Sequence, residues 1–297
     1  MVRAMPSVKV RDDLGRDLVF VHPPRRIVSL VPSDTYTLFA LGAGERVVGR
    51  TTYCELPAEA AAIPTVGGTK NVDVEAVLAL GPDLVIANQE ENTRGALEAL
   101  AARGARLLVS LPRRAADGIA HLARLARALG VAQEPAVIAL VKRGYDELRA
   151  AEAGRSGRGR RAFVPIWMDP LMTLNADTFG SDVLALCGVD NVFADRLRLY
   201  PLAADLGKTV AQDAAGRDVR YPRVTADELK TRAPELILLP DEPYAFAAAD
   251  RAALAAIDTP AARAGAIVDV SGKDLFWYGA WTIDALPRLR ARITSTC

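Results

Sequence analysis

The sequence is poor in the residues that bind bare metal ions. Its 297 residues include only two histidines, His22 and His121, and three cysteines, Cys54, Cys187 and Cys297. There is no C-x-x-C pair and no histidine cluster, so the sequence predicts neither a zinc site nor a disulfide framework. We expect the cysteines to be free thiols or core residues. Any transition metal would have to arrive already wrapped in an organic chelator.

An excess of either charge is also missing. Lys and Arg number 37 against 36 Asp and Glu, which gives a formal net charge of +1. Such a chain has no broad positive field to attract nucleic acid or an anionic membrane. No apolar run reaches the ~20 residues of a membrane span, and the amino terminus, MVRAMPSVKVRDDLG, lacks the apolar centre of a secretory signal. We expect an extracytoplasmic protein if a signal was trimmed and a cytoplasmic one otherwise.

Motifs of the common enzyme classes are absent. The segment GGTKN (67–71) lacks the G-x-G-x-x-G spacing of a dinucleotide cradle, and GRSGRGR (154–160) follows a predicted helix rather than a strand. Neither G-x-S-x-G nor H-E-x-x-H occurs. Acid–base catalysis would fall to loop carboxylates, which are more often merely solvated: Glu90, Glu91, Asp241 and Glu242. The sequence therefore predicts a protein that is not an enzyme.

The alternation of apolar runs predicts an α/β fold with two open parallel sheets. Predicted strands of the first half are RRIVSLV, ERVVG, DLVIA and ARLLVS, and those of the second half are RAFVPIW, PELILLP and AIVDV. Helical periodicity from about Ala132 to Ala153 predicts one long helix between the two halves. A last helix, from about Tyr278 to Ile293, should be kinked or broken at Pro287.

These patterns predict three parts. We expect an N-terminal α/β lobe at 1–130, a connecting backbone helix at 131–155 and a C-terminal α/β lobe at 156–297. Each lobe should be Rossmann-like, with a ligand cleft between the lobes, because open α/β sheets bind ligands at the carboxyl ends of their strands.

Aromatic residues are concentrated at the predicted strand ends. Such rings suit a broad, flat, partly apolar ligand. The predicted ligand contacts are Tyr53, Trp167, Met168, Tyr221, Phe246 and Trp277, together with the polar Lys70 and Asn88 of neighbouring loops. The alternative is that the rings cap the cores of the lobes. For Trp281, inside the last helix, the core is the preferred interpretation.

A faint internal repeat relates the two halves. VEAVLALGPDLVIA and ADELKTRAPELILL each run from a short helix through a proline and an acid into an apolar strand. Glu75 and Asp227 each stand seven residues before that proline. The two acids would occupy matching places on related lobes, or they simply complement the dipole of a helix in its first turn.

These segments, in this order and spacing, resemble the periplasmic binding proteins that serve ABC importers of cobalamin, iron-siderophores and haem. The resemblance spans most of residues 25–240 and is carried by RRIVSLVPSDTYTLFALGAGERVVGRTTY, VGGTKNVDVEAVLALGPDLVIA, FGSDVLALCGVDNVFAD and RYPRVTADELKTRAPELILL. It implies two Rossmann-like lobes joined by a rigid helix. The implied function is capture of a metal chelate, either a corrinoid or an iron-siderophore or haem, by a monomeric chain without a covalently bound cofactor.

The resemblance also gives the paired acids a role. In this family one carboxylate per lobe docks onto arginines of the permease dimer. The matching positions are Glu75 and Asp227, with Glu228 as a substitute because glutamate is usual at the second position.

The cobalamin-binding branch is the most similar one, and there Tyr53 and Tyr221 match corrin contacts. The loop position at which that branch has tryptophan reads Thr69-Lys70 here, and the next reads Asn88-Gln89, which predicts a more polar rim. The alternative on the same scaffold is a cytoplasmic chelate chaperone or enzyme.

Overall fold

The chain forms two compact units in a computed structural model that describes residues 7–155 and 157–295. The first unit comprises the described residues up to Pro112, then Ala116–Asp146 and Trp277–Ile283. The second comprises Arg113–Ala115, Glu147–Phe276 and the described residues from Asp284 onward.

A parallel sheet with strand order β4-β3-β5-β6 organises the first unit. The strands of this unit are β1 (Val8–Arg11), β2 (Asp17–Phe20), β3 (Ile27–Ser29), β4 (Val47–Arg50), β5 (Leu84–Asn88) and β6 (Leu107–Ser110), of which β1 and β2 form a separate antiparallel pair. Its helices are α1 (Pro32–Ala40), α2 (Val74–Ala79), α3 (Arg94–Ala102) and α4 (Ala115–Ala128), with short 3-10 turns at Gly44–Arg46 and Ala58–Ala62.

A second parallel sheet, with order β10-β9-β7-β8, organises the second unit. Its strands are β7 (Arg160–Phe163), β8 (Val189–Asn191), β9 (Leu236–Pro240) and β10 (Ile267–Val270). The remaining helices are α5 (Pro135–Ala153), α6 (Phe179–Leu186), α7 (Leu202–Asp205), α8 (Ala226–Arg232), α9 (Ala248–Ala255), α10 (Pro260–Arg263), α11 (Gly272–Phe276) and α12 (Ala280–Thr294). The α/β class and the two sheet-containing halves are thus as predicted.

The central strands are apolar because both faces of each sheet are covered. Every residue of β5 and of β9 is buried, which is the usual state of a parallel strand flanked by helices. Val28, Val85 and Leu100 belong to the core of the first unit. In the second unit the core includes Phe163 and Phe193, whose ring centroids lie 5.4 Å apart. Side chains near these central strands can therefore reach solvent mainly at the strand ends.

Two helices contribute to both units. The long helix α5 was predicted, and the division between the units falls within it, after Asp146. The first residues of α12, with the preceding Trp277-Tyr278-Gly279, belong to the first unit, whereas the sequence placed them in the C-terminal lobe (156–297). Buried hydrogen bonds of Tyr278, described below, hold this segment in the first unit.

Of the kink or break predicted at Pro287, the break does not occur: α12 is helical from Ala280 to Thr294. Proline removes one backbone hydrogen bond. The buried side chains of Ile283, Leu286 and Leu289 line one face of the same helix and stabilise it through tertiary packing.

Cys54 and Cys187 are free and buried, as expected, and Cys297 lies outside the described residues. Burial raises the pKa of the Cys187 thiol to about 12. Within the described ranges, no helix combines the length and the apolar character needed to cross a membrane.

Candidate functional site

Two loops meet at the carboxyl end of β4 in the first unit. Residues 64–67 extend alongside 50–52 through backbone hydrogen bonds, among them Val66 N to Arg50 O at 2.8 Å and Thr52 N to Gly67 O at 2.9 Å. Gly67 has a φ of +88° and turns the chain at this point. A Cβ atom on Gly68 would lie 3.1 Å from the Tyr53 ring, so this ring packs over bare backbone. Tyr53 itself stays 60% exposed.

Lys70 joins this surface to the loop that follows β5. Its ammonium group donates a hydrogen bond to the carbonyl oxygen of Glu90, and its side chain is exposed. Tyr53 and Lys70 therefore offer an aromatic ring and a positive charge on neighbouring loops of the first unit. Both were predicted as ligand contacts.

Asn88 lies in the interior rather than on this surface, with only 2% of its area exposed. Its Nδ2 atom donates to Ser110 Oγ and to Tyr278 OH, each at 3.2 Å. Its Oδ1 atom accepts from the backbone N–H groups of Glu90 (2.7 Å) and Glu91 (3.1 Å). The Asn88 side chain thus stabilises the loop after β5 from the interior. Both its amide oxygen and its amide nitrogen form hydrogen bonds within the protein.

The same network continues through a buried carboxylate. Tyr278 OH donates to Asp34 Oδ2 and lies 2.8 Å from Ser110 Oγ, while His121 Nε2 lies 2.8 Å from Asp34 Oδ1. Burial, with the Asp34 charge next, raises the pKa of Tyr278 well above its usual value. Asp34, His121 and Ser110 are 0% exposed and Tyr278 is 5% exposed, so this carboxylate–imidazole–hydroxyl set is closed to a substrate.

The two tryptophans of the last segment differ in burial, in the opposite order to the one that the sequence suggested. Trp277, predicted as a ligand contact, is only 7% exposed and packs against Trp281 with ring centroids 5.2 Å apart. Trp281, predicted as core, is half-buried and stands edge-on to Tyr36 at 4.9 Å. Tyr36 and Trp281 therefore have more ring surface to offer than Trp277. Helical periodicity alone could not distinguish these positions.

Aromatic rings form a row on two loops of the second unit. Trp167, after β7, is 45% exposed and lies edge-on to Tyr244 with centroids 5.1 Å apart. Tyr244, in the loop after β9, is in turn edge-on to Phe246 at 4.9 Å. Met168 and Phe246 are half-buried against the core of this unit. Desolvation, together with the charge of Asp250, raises the pKa of Tyr244, so its phenol stays neutral and donates to Asp250.

A pocket of about 350 Å³ opens beside this row at the carboxyl ends of β9 and β10. Phe246 forms part of its lining, together with Asp241, Val270 and Ser271. It lies where open α/β sheets bind ligands.

Tyr221 belongs to the same edge of the second unit. Residues 220–224 pair antiparallel with 171–175, through Thr173 N to Pro222 O at 3.0 Å and Val224 N to Leu171 O at 2.9 Å. A further bridge joins Trp167 to Met172, which itself faces Arg223. Of the predicted contacts, Trp167, Met168, Tyr221 and Phe246 thus sit on adjoining loops. The arginines around Tyr221 were not predicted as site residues.

The paired acids differ in their surroundings. Glu75, in the first turn of α2, is exposed and forms an ion pair with Arg103. Asp227 is exposed in the first turn of α8. Glu228 is held by Arg196 at 2.9 Å and by Arg232 at 3.7 Å, so Asp227 is the more accessible carboxylate.

The Tyr278 network makes a testable contribution to stability. We expect Tyr278→Phe to lower the free energy of unfolding near neutral pH by about 1–3 kcal/mol, because Asp34 and Asn88 lose a buried partner. The pKa of Tyr278 is raised in the folded state, so its contribution is complete below the unfolded-state pKa of about 10 and declines as the pH rises above it. Urea unfolding at neutral and alkaline pH should therefore show the gap between wild type and variant narrowing.

Tyr145→Phe is the matched control, since Tyr145 is 37% exposed on α5. A Tyr278→Phe variant as stable as this control at both pH values would contradict a structural role for the network.

A family model described as periplasmic binding protein matches residues 27–269 of the chain. The vitamin B12-binding protein of Yersinia pestis (strain Pestoides F) is 28% identical over 214 residues, covering 72% of this chain and 69% of the relative. The vitamin B12-binding protein of Pectobacterium carotovorum subsp. carotovorum (strain PC1) is 27% identical over 222 residues, covering 74% and 72%.

Solved structures share the fold. The periplasmic vitamin B12 binding protein BtuF of Vibrio cholerae has a TM-score of 0.70 at 23% identity, covering 93% of this chain and 98% of that one. The periplasmic haem-binding protein BhuT, in complex with two haems, has a TM-score of 0.72 at 24% identity, covering 91% and 98%. Since the family model matches most of the sequence, the chain belongs to the periplasmic binding protein family.

Proposed function

We propose that this chain is the extracytoplasmic substrate-binding protein of an ABC importer and that it captures a metal chelate and delivers it to a permease. The observation that carries the proposal is the row of rings at the strand ends of the second unit, the exposed Trp167 and the partly buried Tyr244 and Phe246, on a scaffold of the periplasmic binding protein family. Large planar rings that are held rigidly bind flat ligands at a small cost in conformational entropy.

The cargo in this proposal is a corrinoid, haem or another iron chelate. Relatives are named for vitamin B12 and structural neighbours for vitamin B12 or haem. Tyr53 on the first unit and Trp167 on the second each expose about half of their surface, and each can cover part of a macrocycle. Lys70 adds a polar contact at the edge of the first surface.

A chelated metal fits the donor groups better than a bare ion does. Within residues 7–155 and 157–295, no group of three or more His, Cys, Asp or Glu side chains is arranged to hold a metal ion. The chelator would therefore keep its own metal, and the protein would contact mainly the organic surface. Binding and release would leave the ligand chemically unchanged.

Glu75 and Asp227 are the carboxylates that we propose dock onto the permease. Both are exposed and both stand in the first turn of a short helix, in corresponding positions of the two halves. Docking at Glu75 would exchange its present partner, Arg103, for an arginine of the permease. This exchange costs little, because an ion pair between exposed side chains contributes little to stability.

A titration tests ligand capture. Cyanocobalamin, dicyanocobinamide, haem and a ferric siderophore are added in turn while tryptophan fluorescence is recorded. We expect at least one of them to saturate the protein, and Trp167→Ala or Tyr53→Ala to weaken its binding by about tenfold, the usual cost of losing a central aromatic anchor.

Tyr145→Ala serves as the control, because Tyr145 is a half-exposed ring on α5 outside the proposed contacts. Failure of all four chelates to bind the wild-type protein would sink the proposed function.

Charge reversal tests docking. We expect Glu75→Arg combined with Asp227→Arg to abolish uptake and ATPase stimulation with the reconstituted permease, since two attractive contacts become repulsive. Ligand affinity should be unchanged. Glu98→Arg is the control, because Glu98 is an equally exposed acid on α3. Uptake that persists in the double variant would contradict the docking role. Both acids would then serve only to complement the dipole of the helix in which they stand.

A further inference from the structure

The chain between β8 and α8 carries a concentration of arginines that the proposed aromatic contacts do not explain. Residues 194–224 contain only one short helix, α7. Their arginines are Arg196, Arg198, Arg217, Arg220 and Arg223. Because the whole protein has a net charge of only +1, this is a local rather than a general excess of positive charge.

Two of these arginines converge on the ring of Tyr200. The guanidinium carbon of Arg217 lies 3.9 Å from the ring centroid and that of Arg198 lies 4.9 Å from it. The Tyr200 hydroxyl donates to the carbonyl oxygen of Asp218 at 2.7 Å, which fixes the ring. Stacking on an aromatic face orients a guanidinium group but leaves its N–H donors available for a planar acid.

Several N–H donors at this place are unused. The Nε atoms of Arg198 and Arg223 are buried and have no hydrogen-bond partner in the described structure. Burial, followed by the nearby charge of Arg198, lowers the pKa of Arg223. Buried donors without partners and like charges close together are both unfavourable. Such an arrangement is expected where a negative ligand group completes it.

The neighbouring carboxylates pair with Arg196, Arg220 and Arg223 rather than with Arg198. Asp205, which is fully buried, accepts from Arg196 at 3.1 Å and from the backbone N–H groups of Leu199 and Arg223, and lies 3.8 Å from the Arg223 guanidinium group. Asp218 accepts from Arg220 at 2.7 and 2.9 Å. Among the residues that the structure describes, no carboxylate forms an ion pair with Arg198.

Arg217 is likewise without a carboxylate partner in the described ranges. It donates to the backbone carbonyl oxygens of Ala214 at 2.8 Å and of Asp213 at 3.1 Å. These two bonds and the stacking on Tyr200 fix its position.

We propose that Arg198, Arg217 and Arg223 form a subsite for an oxyanion group, carboxylate or phosphate, at the edge of the bound chelate. This inference rests on the proposed function and narrows the ligand of the protein to chelates that carry an acidic group. Arg223 faces Met172, which pairs with Trp167, so the subsite adjoins the aromatic row. The rings would cover the face of the macrocycle while the guanidinium groups bind an acid at its rim. Guanidinium groups match the planar geometry of such acids.

Two matched pairs of ligands test the subsite. Haem carries two free carboxylates and its dimethyl ester carries none, whereas cyanocobalamin carries a phosphodiester that dicyanocobinamide lacks. We expect the wild-type protein to prefer the acidic member of at least one pair by about tenfold or more, which corresponds to one charge-assisted hydrogen bond. Preference within the haem pair identifies a carboxylate, and preference within the corrinoid pair identifies a phosphate.

Arginine variants then locate the preference. Arg198→Ala combined with Arg217→Ala should remove the preference for the acidic ligand by weakening the binding of that ligand alone. The single variant Arg198→Lys should retain part of the preference, because it keeps the positive charge. Arg263→Ala is the control, since Arg263 is an exposed arginine on α10. The melting temperature of the unliganded double variant should change little, because removing the Arg198 charge relieves repulsion on Arg223 while the stacking on Tyr200 is lost.

Each outcome bears on a separate claim. Equal affinity for both members of both pairs, or an unchanged preference in the double variant with a normal melting temperature, overturns the subsite and leaves the proposed function standing. If the wild-type protein binds none of these four ligands, the subsite is overturned, and the proposed function falls with it only if the ferric siderophore also fails to bind.

Discussion

The constraint on which the rest depends is that both parallel sheets are covered on both faces. Every residue of β5 and β9 is buried, so these strands can contribute only packing and backbone hydrogen bonds. Polar and aromatic side chains with access to solvent are displaced to the strand ends. Parallel strands bring their carboxyl ends to one edge of their own sheet, and there Tyr53 in the first unit is 60% exposed and Trp167 in the second is 45% exposed. Solvent-accessible rings at the strand ends are a direct consequence of this architecture.

The α/β class could be predicted from the sequence, because apolar runs and helical periods are local signals. Burial at individual positions could not. Trp277 and Trp281 are four residues apart and both large, yet tertiary packing buries the first and leaves the second half-exposed. Asn88 looked like a rim residue because it ends a strand, and its partners Ser110 and Tyr278 come from distant parts of the chain. Pairings over such separations leave no trace in a single sequence.

Charge is organised locally in this protein. A formal net charge of +1 correctly indicates no general positive field, but it conceals the arginines between β8 and α8. Their arrangement comes from geometry: Arg198 and Arg217 share the ring of Tyr200, and the buried carboxylate nearby, Asp205, pairs with Arg196 and Arg223. In the first unit, by contrast, the Asp34 carboxylate accepts from Tyr278 OH and lies 2.8 Å from His121 Nε2 within a closed interior. Buried polarity thus differs between the two units: in the first it is satisfied internally, and in the second the Nε atoms of Arg198 and Arg223 are left without a hydrogen-bond partner.

Hydrogen–deuterium exchange in the presence and absence of a chelate that saturates the protein tests the central claim most directly. The account predicts slower amide exchange on binding in segments 51–54, 66–71, 166–172 and 198–223, and unchanged exchange in α3 and α9. Protection confined to other segments, or none at all with ligand bound, would contradict the claim that the strand-end rings and the adjoining arginines form the binding surface.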